Sequence, residues 1–223
     1  MFRGWNKAFS NVEIVGVQLP GRENRHRENL LVRMDDVVAE LVAVMRETAD
    51  LPFAFFGYSL GSLIAFETTR ALRREKLPLP RRLFVAASPA PQHEHAREPL
   101  VHRLSDVDLI AEMRRFGGTP DAVLASRELL NLLLPIIRAD FELLETYRCE
   151  PDRPLEIPIS AFGGIDDVEV APHQLAEWSE QTAAGFNMRF FPGDHFFLKS
   201  AQDQLLAAVA LELQSSFPPG RAS

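Results

Sequence analysis

Cysteine is almost absent from this sequence. Cys149 is the only one in 223 residues, which excludes an internal disulfide and fits a reducing compartment. Positive charge is short as well: 24 Lys and Arg stand against 31 Asp and Glu, for a net charge of −7. No basic tract offsets that deficit, so a nucleic-acid partner is not expected. The Arg-Arg pairs at 73–74, 81–82 and 114–115 are short and read as solvated helix ends. No apolar run approaches the roughly 20 residues that cross a bilayer. The longest, Leu129 to Ile137, is interrupted by Asn131 and Pro135. The N-terminus, MFRGWNKAFSN, lacks the apolar segment of a secretion signal. The expectation is a soluble, cytoplasmic protein without a membrane partner. With no internal repeat, linker or low-complexity stretch, residues 1–223 are expected to form a single domain.

Apolar residues are plentiful at 46%, a globular composition. They are organised around Phe53 to Leu72. Phe53 to Phe56 reads as a short buried strand, Gly57-Tyr58-Ser59-Leu60-Gly61 follows, and Leu63, Ile64, Phe66, Thr69 and Leu72 then recur at helical spacing. A strand, a G-x-S-x-G and a helix make the context of a nucleophile elbow. Such a turn is expected to need glycine at both flanks, Gly57 and Gly61. It would present the Ser59 hydroxyl at the start of a helix, where backbone N–H groups favour a developing oxyanion.

Along the chain, Val12 to Leu19 reads as a strand ended by Pro20-Gly21, and Met34 to Thr48 as an amphipathic helix. Strand 53–56, helix 61–76 and strand 82–87 follow. The alternation predicts an α/β fold with a mostly parallel sheet and flanking helices. From Ser105 to Arg148 the period is helical throughout, with helices expected from Ser105 to Gly117, from Thr119, and from about Pro135 to Tyr147. An all-helical insertion after a strand's carboxyl end suits a lid, about residues 97–150. A strand over 157–163, a helix over 172–183, a strand over 188–191 and a closing helix over 202–217 complete the pattern.

A serine nucleophile needs a base and an orienting carboxylate. His26, His93, His95, His102, His173 and His195 compete for the first role. His195 alone directly follows the last strand, between Gly193 and the apolar Phe196-Phe197-Leu198. His93 and His95 form an H-x-H pair without an evident third ligand. The carboxylate should follow strand 157–163, where Gly163-Gly164-Ile165-Asp166-Asp167-Val168-Glu169-Val170 matches G-x-x-D-x-x-V with its Asp at 167. Asp167 is preferred to Asp166, which reads as a loop cap.

Several segments together carry a family resemblance: VQLPGRENR (17–25), PFAFFGYSLGSLIAFE (52–67), RRFGGTP (114–120), LLLPIIRADFELLETYR (132–148), ISAFGGIDD (159–167) and FFPGDHFFL (190–198). The sequence resembles the type II thioesterases, free-standing α/β-hydrolases that serve polyketide and nonribosomal peptide synthetases. The resemblance implies Ser59 as nucleophile, His195 as base, Asp167 as orienting acid and the Leu60 N–H as one oxyanion donor. It implies no metal or diffusible cofactor. The partner it implies is an acyl or peptidyl carrier protein bearing an acyl-phosphopantetheine arm, edited when misprimed. Arg22, Arg25, Arg27, Arg114 and Arg115 are candidates to meet such an acidic partner, though solvated arginines are the plainer expectation. Tyr58 and Leu60 stand where the family commonly has His and Met. The family pattern also opens with a strand and a His-Ala-Gly-Gly-type loop ahead of an FRGW-like segment, and this sequence begins at Met1-Phe2-Arg3-Gly4-Trp5. The first strand and a second oxyanion donor are thus expected to be missing. Either the start lies upstream or activity is impaired. The alternatives are another serine carboxylesterase on the same fold, or a weakly active carrier-binding remnant.

Overall fold

The structure, a computed structural model, describes residues 2, 4–9, 11–48, 50–93 and 98–217. The chain divides into two compact units, one of Met1–Val17, Glu40–Pro91 and Pro151–Ser223, the other of Gln18–Ala39 and Gln92–Glu150.

The first unit holds a parallel sheet of β1 (Phe55–Tyr58), β2 (Leu83–Ala86), β3 (Ile159–Gly164) and β4 (Phe186–Phe191), in that spatial order. The register pairs Tyr58 with Ala86, Ala86 with Phe162, and Gly164 with Phe191. All carboxyl ends therefore share one edge. β2 and β3 are buried along their whole length, as strands covered on both faces by helices must be. α2 (Leu60–Arg74) returns the chain from β1 to β2, and α6 (Pro172–Ala176) links β3 to β4. After β4 come the short α7 (Phe197–Ser200) and the closing α8 (Gln202–Ser216). A chain of aromatic rings runs through the core: Phe84 lies 5.9 Å from Phe162, Phe162 5.7 Å from Phe191, and Phe191 5.7 Å from Phe197. The amino ends of β2, β3 and β4 are tied to α8 by a largely buried polar network. Arg82 Nη1 donates to Ser160 Oγ at 2.8 Å and to Glu212 Oε2 at 3.0 Å, and Asn187 Nδ2 donates to Glu212 Oε1 at 2.8 Å.

The observed elements depart from the sequence expectations at several points. Val12 to Leu19 is not a strand. Its β-branched residues favour extended backbone, but a strand needs a ladder partner. Among the described residues no strand pairs with it, and Val15 and Val17 are exposed. The predicted strand 53–56 runs instead from Phe55 to Tyr58, so Gly57 and Tyr58 belong to the ladder. Pro135 does not begin a helix but lies inside a longer one. The predicted helix over 172–183 is one α turn followed by a 3₁₀ segment, Glu177–Gln181. The FPPGRAS tail beyond Phe217 lies outside the described residues.

α1 (Met34–Thr48) precedes β1. The second unit is helical: α3 (Asp106–Phe116), α4 (Asp121–Leu124) and α5 (Arg127–Thr146). Ser105 Oγ caps α3 and Ser126 Oγ caps α5, each accepting a backbone N–H, and Gly117 ends α3 at φ 75°. Leu109, Met113, Leu124 and Leu134 with Val101 form its core. Three charged residues of RADFELLETY, on α5, fasten the segments beside it. Arg138 Nη1 donates to the carbonyls of His102 and Leu104 at 2.6 and 2.8 Å. Asp140 takes both ends of the Arg22 guanidinium, at 3.1 and 2.9 Å. Glu145, with 1% of its side chain exposed, accepts from Val101 N at 2.7 Å, His102 N at 3.1 Å and His102 Nδ1 at 2.6 Å. Glu145→Gln sets an amide donor among these donors. It should lower unfolding free energy by about 1–3 kcal/mol in urea titrations, and an unchanged midpoint would remove Glu145 from this clamp.

Candidate active site

Ser59 follows β1 directly and precedes α2. Its backbone takes φ 52° and ψ −122°, a region that a residue with a Cβ seldom occupies. The turn is held on three sides. Ser59 N donates to Ala86 O at 2.7 Å, Ser62 N donates to Ser59 O at 2.8 Å, and Ser62 Oγ exchanges hydrogen bonds with the Ala86 backbone. Gly57 is required by proximity: a Cβ there would lie 2.3 Å from Gly61 O and 2.4 Å from Ser62 Cα. Gly61 is a different case, because a Cβ at that position meets nothing within 4 Å. The expectation that both glycines answer one steric need is thus corrected to Gly57 alone.

Asp167 lies in the loop after β3 and His195 in the loop after β4. Backbone bonds join the two loops. Ile165 N donates to Phe191 O at 2.9 Å and Asp166 N to Gly193 O at 3.0 Å. Gly164 lets them meet, since a Cβ on it would stand 2.3 Å from Asp194 O. Phe197, fully buried, anchors the His195 loop to the aromatic chain of the core.

Ser59, His195 and Asp167 come together. His195 Nδ1 is 3.0 Å from Asp167 Oδ2, and His195 Nε2 is 3.4 Å from Ser59 Oγ. The Asp167 side chain is 1% exposed and that of His195 11%. The other carboxylate oxygen of Asp167 accepts from Glu169 N at 2.8 Å and Val170 N at 3.2 Å, which fixes its plane. An ionised carboxylate only accepts, so Nδ1 carries the proton and Nε2 presents a lone pair to the serine hydroxyl. Asp166 is exposed and gives the loop its backbone N–H rather than its carboxylate. Leu60 opens α2, whose first N–H groups have no partner within the helix.

The remaining candidates have surroundings of their own. His26 Nδ1 is 3.0 Å from Glu23 O, His102 is paired with Glu145, and His173 is exposed on the first turn of α6. His93 precedes 94–97, so its H-x-H partner His95 is outside the described residues. Among the arginines, Arg22 is held by Asp140, Arg25 by Glu28 and Arg115 by Glu112. Tyr58, by sequence only a departure from the family pattern, sits beside the cluster, and its hydroxyl donates to the His195 carbonyl. Its place next to the serine was the available signal.

A parallel sheet flanked by helices, with serine, histidine and aspartate converging at its carboxyl edge, defines an α/β-hydrolase. The Thioesterase domain model matches residues 1–212. The chain is 37% identical over 219 residues to the gramicidin S biosynthesis protein GrsT of Aneurinibacillus migulanus, covering 98% of this chain and 85% of that one. RedJ, the thioesterase from the prodiginine biosynthetic pathway in Streptomyces coelicolor, superposes with a TM-score of 0.90 at 36% identity, over 95% of this chain and 84% of its own. The type II thioesterase BorB from the borrelidin biosynthetic cluster does so at 0.80 and 38% identity, over 88% and 79%. The chain therefore belongs to the thioesterase family, among the type II thioesterases of nonribosomal peptide and polyketide pathways. It is a hydrolase of thioesters.

The two elbow glycines should respond differently to substitution. Gly57→Ala forces backbone movement that costs about 1–3 kcal/mol and should collapse hydrolysis of an acyl thioester. Gly61→Ala should fold and keep its rate within about threefold, since the added methyl group meets nothing within 4 Å. Equal losses in both variants would put the steric requirement elsewhere.

Proposed function

We propose that this protein hydrolyses acyl groups from the phosphopantetheine thioester of carrier proteins, clearing misprimed synthetases, through a Ser59–His195–Asp167 triad. The observation that carries the proposal is the continuous relay from Ser59 Oγ through His195 to the buried Asp167. Its support from kinship is the match to biosynthetic thioesterases over nearly the whole chain.

In the proposed reaction His195 Nε2 accepts the Ser59 proton as Ser59 Oγ attacks the thioester carbonyl carbon. The negative charge moves to the carbonyl oxygen, where the Leu60 N–H is the assigned donor. The C–S bond then breaks, and the imidazolium gives its proton to the departing thiolate. Water attacks the acyl-serine, His195 takes its proton, and collapse expels the serine oxygen, which is reprotonated. The products are a carboxylic acid and the free carrier thiol. Asp167 stabilises the imidazolium and holds the ring. The Oγ to Nε2 separation of 3.4 Å is at the long end for such a bond; these contacts tighten when substrate binds. The role of a lid for residues 97–150 belongs to the same proposal and rests on connectivity, because that segment leaves the sheet after the carboxyl end of β2.

The test is release of acetate from a carrier protein loaded as its acetyl thioester. Ser59→Ala and Asp167→Asn should each lose at least about 10³-fold in kcat/KM, whereas Asp166→Asn should stay within about threefold of the parent. Undiminished release by Ser59→Ala would overturn the triad. A strong preference for a simple ester of the same acyl group would overturn the carrier-thioester assignment while leaving the triad in place.

A further inference from the structure

The end of β1 and the turn after it bring two side chains to the site, not one. Tyr58 immediately precedes Ser59, and its hydroxyl donates to the backbone carbonyl of His195. Its ring centroid is 5.8 Å from that of His195 and 6.2 Å from that of Phe197. We infer that Tyr58 is a positioning residue, which uses this hydrogen bond to set His195 opposite Ser59. The inference rests on the proposed Ser59–His195–Asp167 relay and adds a member to it.

Other bonds also hold the His195 loop. Gly193 enters it at φ 118°. From the Asp167 side the loop is tied through Asp166 N to Gly193 O at 3.0 Å. From within, Asp194 accepts from Phe196 N at 2.7 Å and from Phe197 N at 3.0 Å. Those bonds fix His195 relative to β3 and to its own chain. The Tyr58 bond is different, because it comes from the strand that carries the nucleophile. Tyr58 and Ser59 are covalent neighbours, and Tyr58 is held in the ladder opposite Ala86. Its hydroxyl thus references the imidazole to Ser59 itself, along a path independent of the Asp167 loop. Such a tie bears on the Oγ to Nε2 distance, where misplacement by a fraction of an ångström is felt in rate. Phenylalanine would fill the same space and could not donate.

The phenol also stays a donor under working conditions. Burial raises its pKa well above the ordinary tyrosine value, and the nearby Asp167 and Asp194 carboxylates raise it further. The Tyr58 hydroxyl bonds the His195 carbonyl and its ring lies against the rings of His195 and Phe197, so its effect should pass through His195.

The experiment is a double-mutant cycle on a chromogenic acyl thioester of a small thiol, comparing the parent with Tyr58→Phe, His195→Ala and the double variant. Tyr58→Phe should lower kcat about three- to tenfold, the worth of one neutral hydrogen bond, with KM within about twofold. In the His195→Ala background the same substitution should change the residual rate by less than about 1.5-fold, because the groups act as one unit. Thermal melts establish that each variant is folded. A Tyr58→Phe enzyme with parental kcat would overturn the inference, and so would an equal loss in both backgrounds. Should His195→Ala itself retain the parental rate, the relay fails and Tyr58 falls with it. A normal His195 effect beside an inert Tyr58→Phe removes Tyr58 alone.

Discussion

The backbone at Ser59 is the constraint on which the site depends. A residue with a Cβ at φ 52° and ψ −122° is strained by about 1–3 kcal/mol, and an isolated chain would relax it. Here the relaxed geometries are closed off. The Ser59 N–H is committed to β2, its carbonyl to the first turn of α2, and Gly57 sits so close to Gly61 and Ser62 that the strand cannot rotate away. The outcome is a serine lifted off the end of the ladder with its hydroxyl at the helix start. The strain is local, and the sheet and the 15-residue helix on either side of Ser59 suppress it.

Everything else at the site follows from the sheet being parallel. Ser59 and His195 are 136 residues apart in sequence, yet β1, β3 and β4 all end at one edge. What the topology supplies only approximately, close contacts then refine. Gly164 admits the backbone of Asp194, two backbone bonds join the loops after β3 and β4, and the aromatic chain from Phe84 to Phe197 runs into the loop that carries His195. Precision therefore comes from backbone contact and ring packing, with the buried Asp167 carboxylate behind His195.

Much of this was legible in the sequence because its signals are local. The elbow declares itself through Gly57 and Ser59 between an apolar run and a helical period, and Asp167 and His195 through their places after strands. What escaped depends on partners far away in the chain. Val12 to Leu19 has strand composition, but composition cannot say whether a neighbour is there to accept its hydrogen bonds. Pro135 reads as a helix start, yet α5 already begins at Arg127 with the Ser126 cap, and packing of the apolar face carries it past the proline. Gly61 follows a pattern whose steric reason falls on Gly57. The charges of RADFELLETY invite a functional explanation, although Arg138, Asp140 and Glu145 are spent on the helical unit itself. Tyr58 was visible only as an unusual neighbour of the serine, since its hydroxyl acts on a residue beyond β4.

This distribution of charge agrees with the chemistry proposed. A thiol with a pKa of about 8.5 leaves as a thiolate without much assistance, unlike an alkoxide or an amine. In the proposed cleavage, breaking the C–S bond thus makes small demands on the imidazolium. The demand falls earlier, on removing the proton from a serine hydroxyl as it attacks, and that step is governed by the distance and angle between Oγ and Nε2. A site so built needs few ionised groups and a well-held base. His195 is held in that way: by Asp167 at Nδ1, by the Gly193 tie to the Asp167 loop, by Phe197 in the core, and by Tyr58 from the strand that leads into Ser59.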